Sequence, residues 1–548
     1  MRTVSCFRAF EGNCALLAII TAVVALPLGA AASPAPADTP TDASESAGAV
    51  EAHIKLFPTA EFHKVSPYIY GQFIEHIGGC IYDGIWVPEG SEIENSGGIR
   101  LDTVRALRKL EVPVVRWPGG LFADNYHWRD GIGPSDKRPV RQNLGWNTTE
   151  SNQFGTHEFM RFCKLIGTEP YLCVNVGSGT VEEARAWAEY CNSDKDTMLT
   201  RQRAANGHPQ PFGVKFWSLG NEPEYALDGM MLPDHYLDVA RTYAGYVKHF
   251  ACQSVWRGDG KLKEAKIVLG ELGDTKIFKD QVRKVKNIYF DLLSLHLYAN
   301  TSHAPDIPPA DTHYQLISRL PRLEQRIKRL CDVAQELSTS DHSVGVAVDE
   351  WGIWRHGEAD SLNGLVQKAP IGDALFAAAF FHVLHRYEKV YMANIAQSIN
   401  VLHALILTRG KKFCVTPTYH VFEMFRPHRN AKVIDFSVEC GKKLPPSDAA
   451  GRNALSVSVT KSQDGGELFI SAVNLDLRDD IIAKIEVADG NKWKVQEVRR
   501  LVAEDIDCGN IFDDPNRVRP EAVDTDRLSA DGKFRLKARS VTTIRMKK

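Results

Sequence analysis

Two stretches of this chain put a glutamate at the point where an apolar strand runs out. In the first, Val214, Phe216, Trp217 and Leu219 form a run interrupted by Lys215 and closed by Gly220, and Asn221-Glu222-Pro223-Glu224 follows. In the second, Val344 to Val348 is apolar and Asp349-Glu350-Trp351-Gly352 follows. A paired Glu222 and Glu350 would suit cleavage of a glycosidic bond. One carboxylic acid protonates the leaving oxygen, and one carboxylate attacks the anomeric carbon or activates water. Carboxylates held close cannot ionise equally, so one of them is expected to keep its proton near neutrality. The chain has 68 acidic residues, and a glutamate after a strand is ordinarily a solvated loop residue or a helix cap, so the shared setting singles these two out.

The elements around them must bring two distant glutamates to one rim. Candidate strands are Tyr68 to Phe73, Val112 to Arg116, Tyr171 to Val176, Val214 to Leu219, Lys266 to Gly270, Leu292 to Leu297, Val344 to Val348 and Val390 to Ile395. Helical patterns fall between them, at Leu101 to Leu110, Thr156 to Ile166, Thr180 to Cys191, His235 to Gln253, Tyr314 to Leu337 and Ile371 to Tyr387. Alternating strand and helix with eight strands predicts an α/β fold, a closed (β/α)8 TIM barrel, whose chemistry sits at the C-terminal strand ends. No G-x-G-x-x-G follows any strand, which removes the main reason to prefer a dinucleotide fold.

The motifs WSLGNEPE, VDEWG, RWPGG and YGQFIEH, in ordered blocks from about Ile69 to Gln397, resemble the α-L-arabinofuranosidases of glycoside hydrolase family 51. That resemblance implies a retaining enzyme with Glu222 as acid/base and Glu350 as nucleophile. It implies Glu75 and Gln397 as sugar contacts, Asn221 as a hydrogen-bond partner of the sugar 2-hydroxyl, and Tyr298 as a partner of the nucleophile. His296 and Tyr298, two apart on a strand, share a face and can both point into the site. Read as residues alone, Glu75 could equally be salt-bridged to Arg116, Asn221 could be a turn residue, Tyr298 a barrel-layer residue and Gln397 a loop residue. Trp351, Trp117 and Trp128 could wall the site or pack elsewhere, and Trp146 and Trp86 are weaker candidates. Many family members carry Cys or Asn after RWPGG, where this chain has Leu121, which cannot hydrogen-bond. No cofactor is implied, and no H-E-x-x-H or C-x-x-C spacing suggests a metal.

Residues 1–32 read as a signal peptide: Arg2 and Arg8, an uncharged run from Ala15 to Leu26, and small residues at Gly29-Ala30-Ala31-Ala32-Ser33. Secretion to an extracellular site is the expectation. Residues 33–48 read as a flexible leader, 49–66 as a strand given to an accessory β-sandwich, 67–409 as the barrel, and 410–548 as the sandwich itself. Alternation at Leu455 to Val459, Leu468 to Val473, Trp493 to Val498 and Phe534 to Met546 carries this last reading. The formal charge of -2 and pI near 6.8 argue for neither nucleic acid nor an anionic membrane as partner. They are compatible with an arabinose-containing polysaccharide or oligosaccharide, and a homo-oligomer is compatible with the sequence. Beyond the signal segment nine cysteines remain, an odd number that leaves at least one unpaired or bonded between chains. Cys163, Cys173 and Cys331 fall in apolar patterns and are expected to be buried. Asn147 and Asn300 head glycosylation sequons. Two rivals keep the same residues: an endo-acting β-glycanase of the same clan, and a catalytically silent carbohydrate-binding protein.

Overall fold

The eight expected strands close into a parallel barrel in the computed structural model, which describes residues 50–224, 231–252, 265–272, 289–301, 307–355, 365–445, 451–524 and 532–548. In chain order they are Gly71–Phe73, Val114–Trp117, Glu169–Val174, Phe216–Leu219, Lys266–Leu269, Leu292–Asn300, Gly345–Trp354 and Val390–Ala396. Each pairs in parallel with the next, and the last pairs with the first through Asn394 and Gly71. The signal peptide and leader, and Ser302 of the second sequon, lie outside the described residues. No helix among the described residues is long and apolar enough to cross a membrane.

The barrel interior is filled in layers, as a closed parallel barrel requires. Val114, Tyr171, Phe216, Val268, Leu292, Ala347 and Met392 form one apolar layer, a residue from each of seven strands. Two residues further along those strands stand Arg116, Ser218, Ser294, Asp349 and Asn394, all buried, so the layer above is polar. That switch marks the floor of the rim.

Strand register breaks once where it matters. Ser294 opposes Ala347, but His296 opposes Glu350, so the seventh strand carries one extra residue between them. Strict alternation from inward-facing Ala347 would turn Asp349 and Trp351 inward and Glu350 out. The bulge re-aims the chain, as bulges beside active sites do, so that Glu350 shares the inner face with His296.

Around the barrel run Leu101–Leu110, Thr156–Ile166, Val181–Asn192, Pro233–Ala251, Pro309–Leu337 and Ile371–Leu384, with two short helices, Met198–Ala205 and Pro417–Met424, that periodicity did not single out. Ile371–Leu384 is buried at every position. A helix apolar all round needs cover on all sides, and here the barrel and the C-terminal sheet supply it. Phe381 alone meets the rings of Tyr70, Trp351, Phe422 and Phe425, so its truncation to alanine would cost on the order of 3–5 kcal/mol.

The expected sandwich is a nine-stranded sheet in the order Glu521–Ala522, Lys494–Val502, Ser540–Lys547, Glu467–Asn474, Leu455–Lys461, Lys432–Cys440, Val50–Lys64, Ile481–Val487 and Lys533–Leu536. Val50–Lys64 pairs antiparallel with Lys432–Cys440 and parallel with Ile481–Val487. The sheet folds back on itself, for Asn474 Nδ2 donates to Leu536 O at 3.1 Å across that order. Phe534 to Met546 is two strands rather than one, broken at Arg539, whose φ of 54° ends the ladder. The nine cysteines among the described residues are free thiols, and eight of them, including Cys163, Cys173 and Cys331, are buried.

Histidines seam the barrel to the sheet. His382 contacts Ser456 Oγ and Ser471 Oγ at 2.9 Å each, His385 contacts Ser458 Oγ at 2.8 Å, and His428 contacts Thr460 Oγ1 at 2.9 Å. Burial pushes His382 and His385 well below the ordinary histidine range and His428 to about 3. Because the folded values lie below the unfolded one, the unfolded chain takes up these protons first. The stabilisation is complete above about pH 6.5 and is lost as pH falls. The unfolding midpoint should therefore drop by at least about 5 °C between neutrality and pH near 4.5. Thermal denaturation across that range checks this, and His382→Gln/His385→Gln should flatten the slope.

Candidate active site

Arg116 is the centre of the rim. It is wholly buried, and its guanidinium reaches two strands at once: Nη1 donates to Glu350 Oε1 at 2.6 Å and Nη2 to Asn221 Oδ1 at 2.7 Å. Nε lies 3.7 Å from Asp349 Oδ2. The backbone that follows must pass close over these groups. A Cβ on Gly120 would lie 2.9 Å from Glu350 Oε1, which explains the glycine in RWPGG. Gly220 adopts φ 78°, and a Cβ there would meet Val176 Cγ2 at 2.2 Å. This left-handed turn ends the fourth strand and presents Asn221 and Glu222. Asp124 steadies the turn, its carboxylate accepting from the amides of Val176 and Asn221 at 3.3 Å each.

Glu222 and Glu350 meet at His296. Nδ1 of His296 is 2.5 Å from Glu222 Oε1 and 3.7 Å from Glu350 Oε1, and one oxygen of each carboxylate and a ring nitrogen all lie within 4.8 Å of one another. Tyr298 Oη donates to Glu350 Oε2 at 2.7 Å. The Glu222 side chain is 28% exposed and that of Glu350 7%, so the first reaches solvent and the second is sunk. Below them Asp349 accepts from Tyr171 Oη at 2.7 Å and from Ser294 Oγ at 2.5 Å.

Glu75 heads a second group. It accepts from the Phe122 amide at 3.0 Å, Trp146 Nε1 at 3.1 Å and Gln397 Nε2 at 3.0 Å. The alternative salt bridge from Glu75 to Arg116 does not form, because Arg116 is committed to Glu350 and Asn221. Gln397 Oε1 is buried without a hydrogen-bond partner, an acceptor left open beside the site.

Charge at the rim is balanced rather than uniform. Burial opposes a charge on His296, but Glu350 and Glu222 outweigh it and hold its pKa well above the ordinary range. Burial would lift Glu222, yet the imidazolium of His296 holds it below the usual carboxylate value. Asp349, buried too, is kept at about 2 by His296 and Arg116. Glu75 has no such cation on its oxygens, and burial pushes it up to about 7. The expectation was that one of the close pair would retain a proton; the charges here favour the proton on His296 and hold Glu222 below its usual range. Glu222, His296 and Glu350 have the spacing of a cation site, but Arg116 and Tyr298 already occupy both oxygens of Glu350, so an ion there would compete with a fixed guanidinium.

The tryptophans need correction. Trp351 is fully buried on the outer face of the seventh strand, against Phe380, Phe381, His403 and Phe422, and does not contribute to the sugar site. The bulge that turns Glu350 inward turns Trp351 out. Trp117 and Trp128 are likewise core residues, both packed on Trp187. Trp146, ranked lower, is the tryptophan that reaches a rim carboxylate. It sits at the tip of the hairpin formed by Arg141–Asn143 and Thr148–Glu150. Leu121 lies under the same tip, since a Cβ on Gly145 would meet Leu121 Cγ at 2.9 Å. Asp349, Asp124 and Trp146 carried no spacing signal. Arg116 did carry one, as a charged residue inside an apolar strand, and only a structural partner explains it.

Comparison with known proteins agrees with this geometry. Residues 106–250 match the family model of the α-L-arabinofuranosidase 1 domain, and residues 349–540 that of the α-L-arabinofuranosidase C-terminal domain. An intracellular exo-α-L-arabinofuranosidase of Bacteroides ovatus is 36% identical over 87% of this chain and 92% of its own. A probable α-L-arabinofuranosidase C of Aspergillus niger is 33% identical over 80% of this chain and 87% of its own. The crystal structure of the family 51 arabinofuranosidase from Xanthomonas axonopodis pv. citri superposes with a TM-score of 0.83 at 33% identity, covering 91% of this chain and all of that one. That of the Thermotoga maritima α-L-arabinofuranosidase in complex with arabinose gives 0.76 at 32%, covering 91% of this chain and all of that one. With two rim glutamates on an eight-stranded barrel, both domain models matched and relatives aligned over most of their length, the chain belongs to the α-L-arabinofuranosidases of glycoside hydrolase family 51.

Proposed function

We propose that the chain is a retaining exo-enzyme that releases terminal, non-reducing α-L-arabinofuranosyl residues from arabinoxylan, arabinan and arabino-oligosaccharides. The observation that carries this is the approach of Glu222 and Glu350 within 4.8 Å, both at Nδ1 of His296. Retaining glycosidases hold their carboxyl groups about 5–5.5 Å apart, and inverting ones leave roughly 6.5–9.5 Å for a water between. Export through the N-terminal segment is part of the proposal and rests on its sequence alone.

Glu350 attacks the anomeric carbon. Arg116 and Tyr298 each hold one of its oxygens, which fixes the direction of the nucleophile. Glu222 protonates the departing oxygen, with the proton drawn from the pair it forms with His296. Two groups so tightly coupled titrate as one unit. In the second step Glu222, the more exposed of the two glutamates, takes a proton from water, which cleaves the ester to Glu350. Asn221, Glu75 and Gln397 are the sugar-binding groups in this reading, and the free Oε1 of Gln397 is suited to accept a hydroxyl. An endo-acting β-glycanase would use the same glutamates, and a silent binding protein would have no need for a Glu350 held at both oxygens.

Glu350→Gly should abolish turnover of a chromogenic arabinofuranoside, and added azide should restore it with a product of opposite anomeric configuration; rescue with unchanged configuration would contradict a nucleophile. Glu222→Ala should spare the first step for substrates with good leaving groups and slow it for natural glycosides, so equal losses on both kinds would rule out an acid. The two tryptophans should separate cleanly. Trp146→Phe removes a donor to Glu75 and should raise KM with little change in melting temperature. Trp351→Phe should lower the melting temperature by a few degrees, a cost of about 1–3 kcal/mol, and leave KM unchanged.

A further inference from the structure

The C-terminal sheet holds a cavity of about 440 Å³ whose wall is unusually rich in guanidinium groups. It lies among the strand Lys494–Val502, the segment 503–518, the turn before Ser540–Lys547 and the loop after Glu467–Asn474. Its acids are largely spent on other cations. Glu521 accepts from Arg500 at 2.8 Å, and Asp480 is taken by Arg535, Lys537 and the Ala538 amide at 2.7, 3.2 and 2.8 Å. The guanidinium groups of Arg478, Arg517 and Arg539 have no carboxylate within 4 Å among the described residues, and of the acids that line the cavity only Glu504 is left to oppose them. Arg539 donates through Nη1 to the Leu477 carbonyl, while its Nε is shut off from solvent with no acceptor. A buried donor left unpaired costs about 1–3 kcal/mol, so this orientation is unfavourable unless something completes it.

We propose that this cavity is a binding site for an acidic saccharide, with a uronate carboxylate held by Arg478, Arg517 and Arg539. Guanidinium forks match a planar carboxylate in bidentate geometry, and the volume lies in the range of small-ligand sites. The remaining wall, Val502, Ala503, Val518 and Ala538, is aliphatic and has no aromatic ring on which a neutral sugar could stack. Charge, not stacking, is what this pocket can recognise. That the carboxylate belongs to a sugar rests on the proposed action on polysaccharides; the site would then anchor acidic stretches of a polymer whose neutral arabinofuranose branches reach the barrel.

Calorimetric titration of the full chain with trigalacturonate, with its methyl ester and with inorganic phosphate tests this apart from catalysis. Saturable binding of the acid, weakened by salt and lost in the ester, is expected. Arg478→Ala/Arg517→Ala should bind trigalacturonate at least about ten-fold more weakly and keep kcat/KM on a small neutral arabinofuranoside. Absent binding, equal binding of acid and ester, or an unchanged affinity in the double variant would overturn the proposal. Phosphate bound as tightly as trigalacturonate would also overturn it, in favour of a simple anion site. Because turnover is assayed separately, failure of the glycosidase reading would show in that assay and not in the titration.

Discussion

Carboxylates crowded at the dry mouth of a barrel need compensating charge, and in this protein Arg116 and His296 provide it. Asp349 is fully buried and Glu350 nearly so, where an unpaired anion would carry a penalty of several kcal/mol. Arg116 divides its guanidinium among Glu350, Asn221 and Asp349, and His296 stands between Glu222, Glu350 and Asp349. Removing one member of such a set leaves its partner charged and uncompensated, at a cost of about 3–5 kcal/mol. The residues of the rim therefore depend on each other's identity. A substitution at Arg116 would leave Glu350 and Asp349, neighbours on one strand, without their guanidinium.

The same requirement accounts for the shape of the backbone. Period-two alternation would have left Glu350 facing the helices, outside the reach of Arg116. One extra residue in the seventh strand reverses that, and the following Trp351 goes to the core, where Phe380, Phe381 and Phe422 bury it. Glycines at 120 and 220 let the main chain approach the carboxylates and turn away from them. The barrel in turn is seated on the C-terminal sheet through a helix with no solvent face, Ile371–Leu384. Position at the rim thus traces back through packing to a sequence pattern, the largely apolar run of that helix, in which only Asp373 and His382 are charged or titratable.

Much of the fold was legible because apolar periodicity is a strong signal over long segments. All eight barrel strands are found within a few residues of where the pattern puts them, and Leu101–Leu110 and Thr156–Ile166 agree at both ends. The sheet strands Lys432–Cys440 and Ile481–Val487 were not singled out, because their buried positions are few and charged residues interrupt them. At the site, the residues next to strand ends were readable: Glu222, Glu350, Asn221, Glu75, Tyr298 and Gln397 all reach the rim. What could not be read was a dependence on register. A single inserted residue has no signature in composition, so Trp351 looked like a wall. Trp146, on a hairpin with no apolar pattern, was among the weaker candidates. The charge on His296 is set by neighbours distant in sequence, and no local motif encodes it.

That charge bears on how one carboxylate could serve both as acid and as base. Glu350 is the largest influence raising His296, with Glu222 next. Were Glu350 converted to a neutral glycosyl ester, it would cease to be an anion, and much of what keeps the imidazole protonated would vanish. Glu222, having given a proton to the leaving group, would at that moment be the anion nearest to Nδ1. The imidazole would then be neutral, and Glu222, the more exposed of the two glutamates, would be the base for an incoming water. When Glu350 is released as a carboxylate, the original field returns, and with it the tendency of His296 to hold a proton. The proton lost to the leaving group would thus be replaced by one taken from water, and the covalent state of Glu350 would set when His296 holds it.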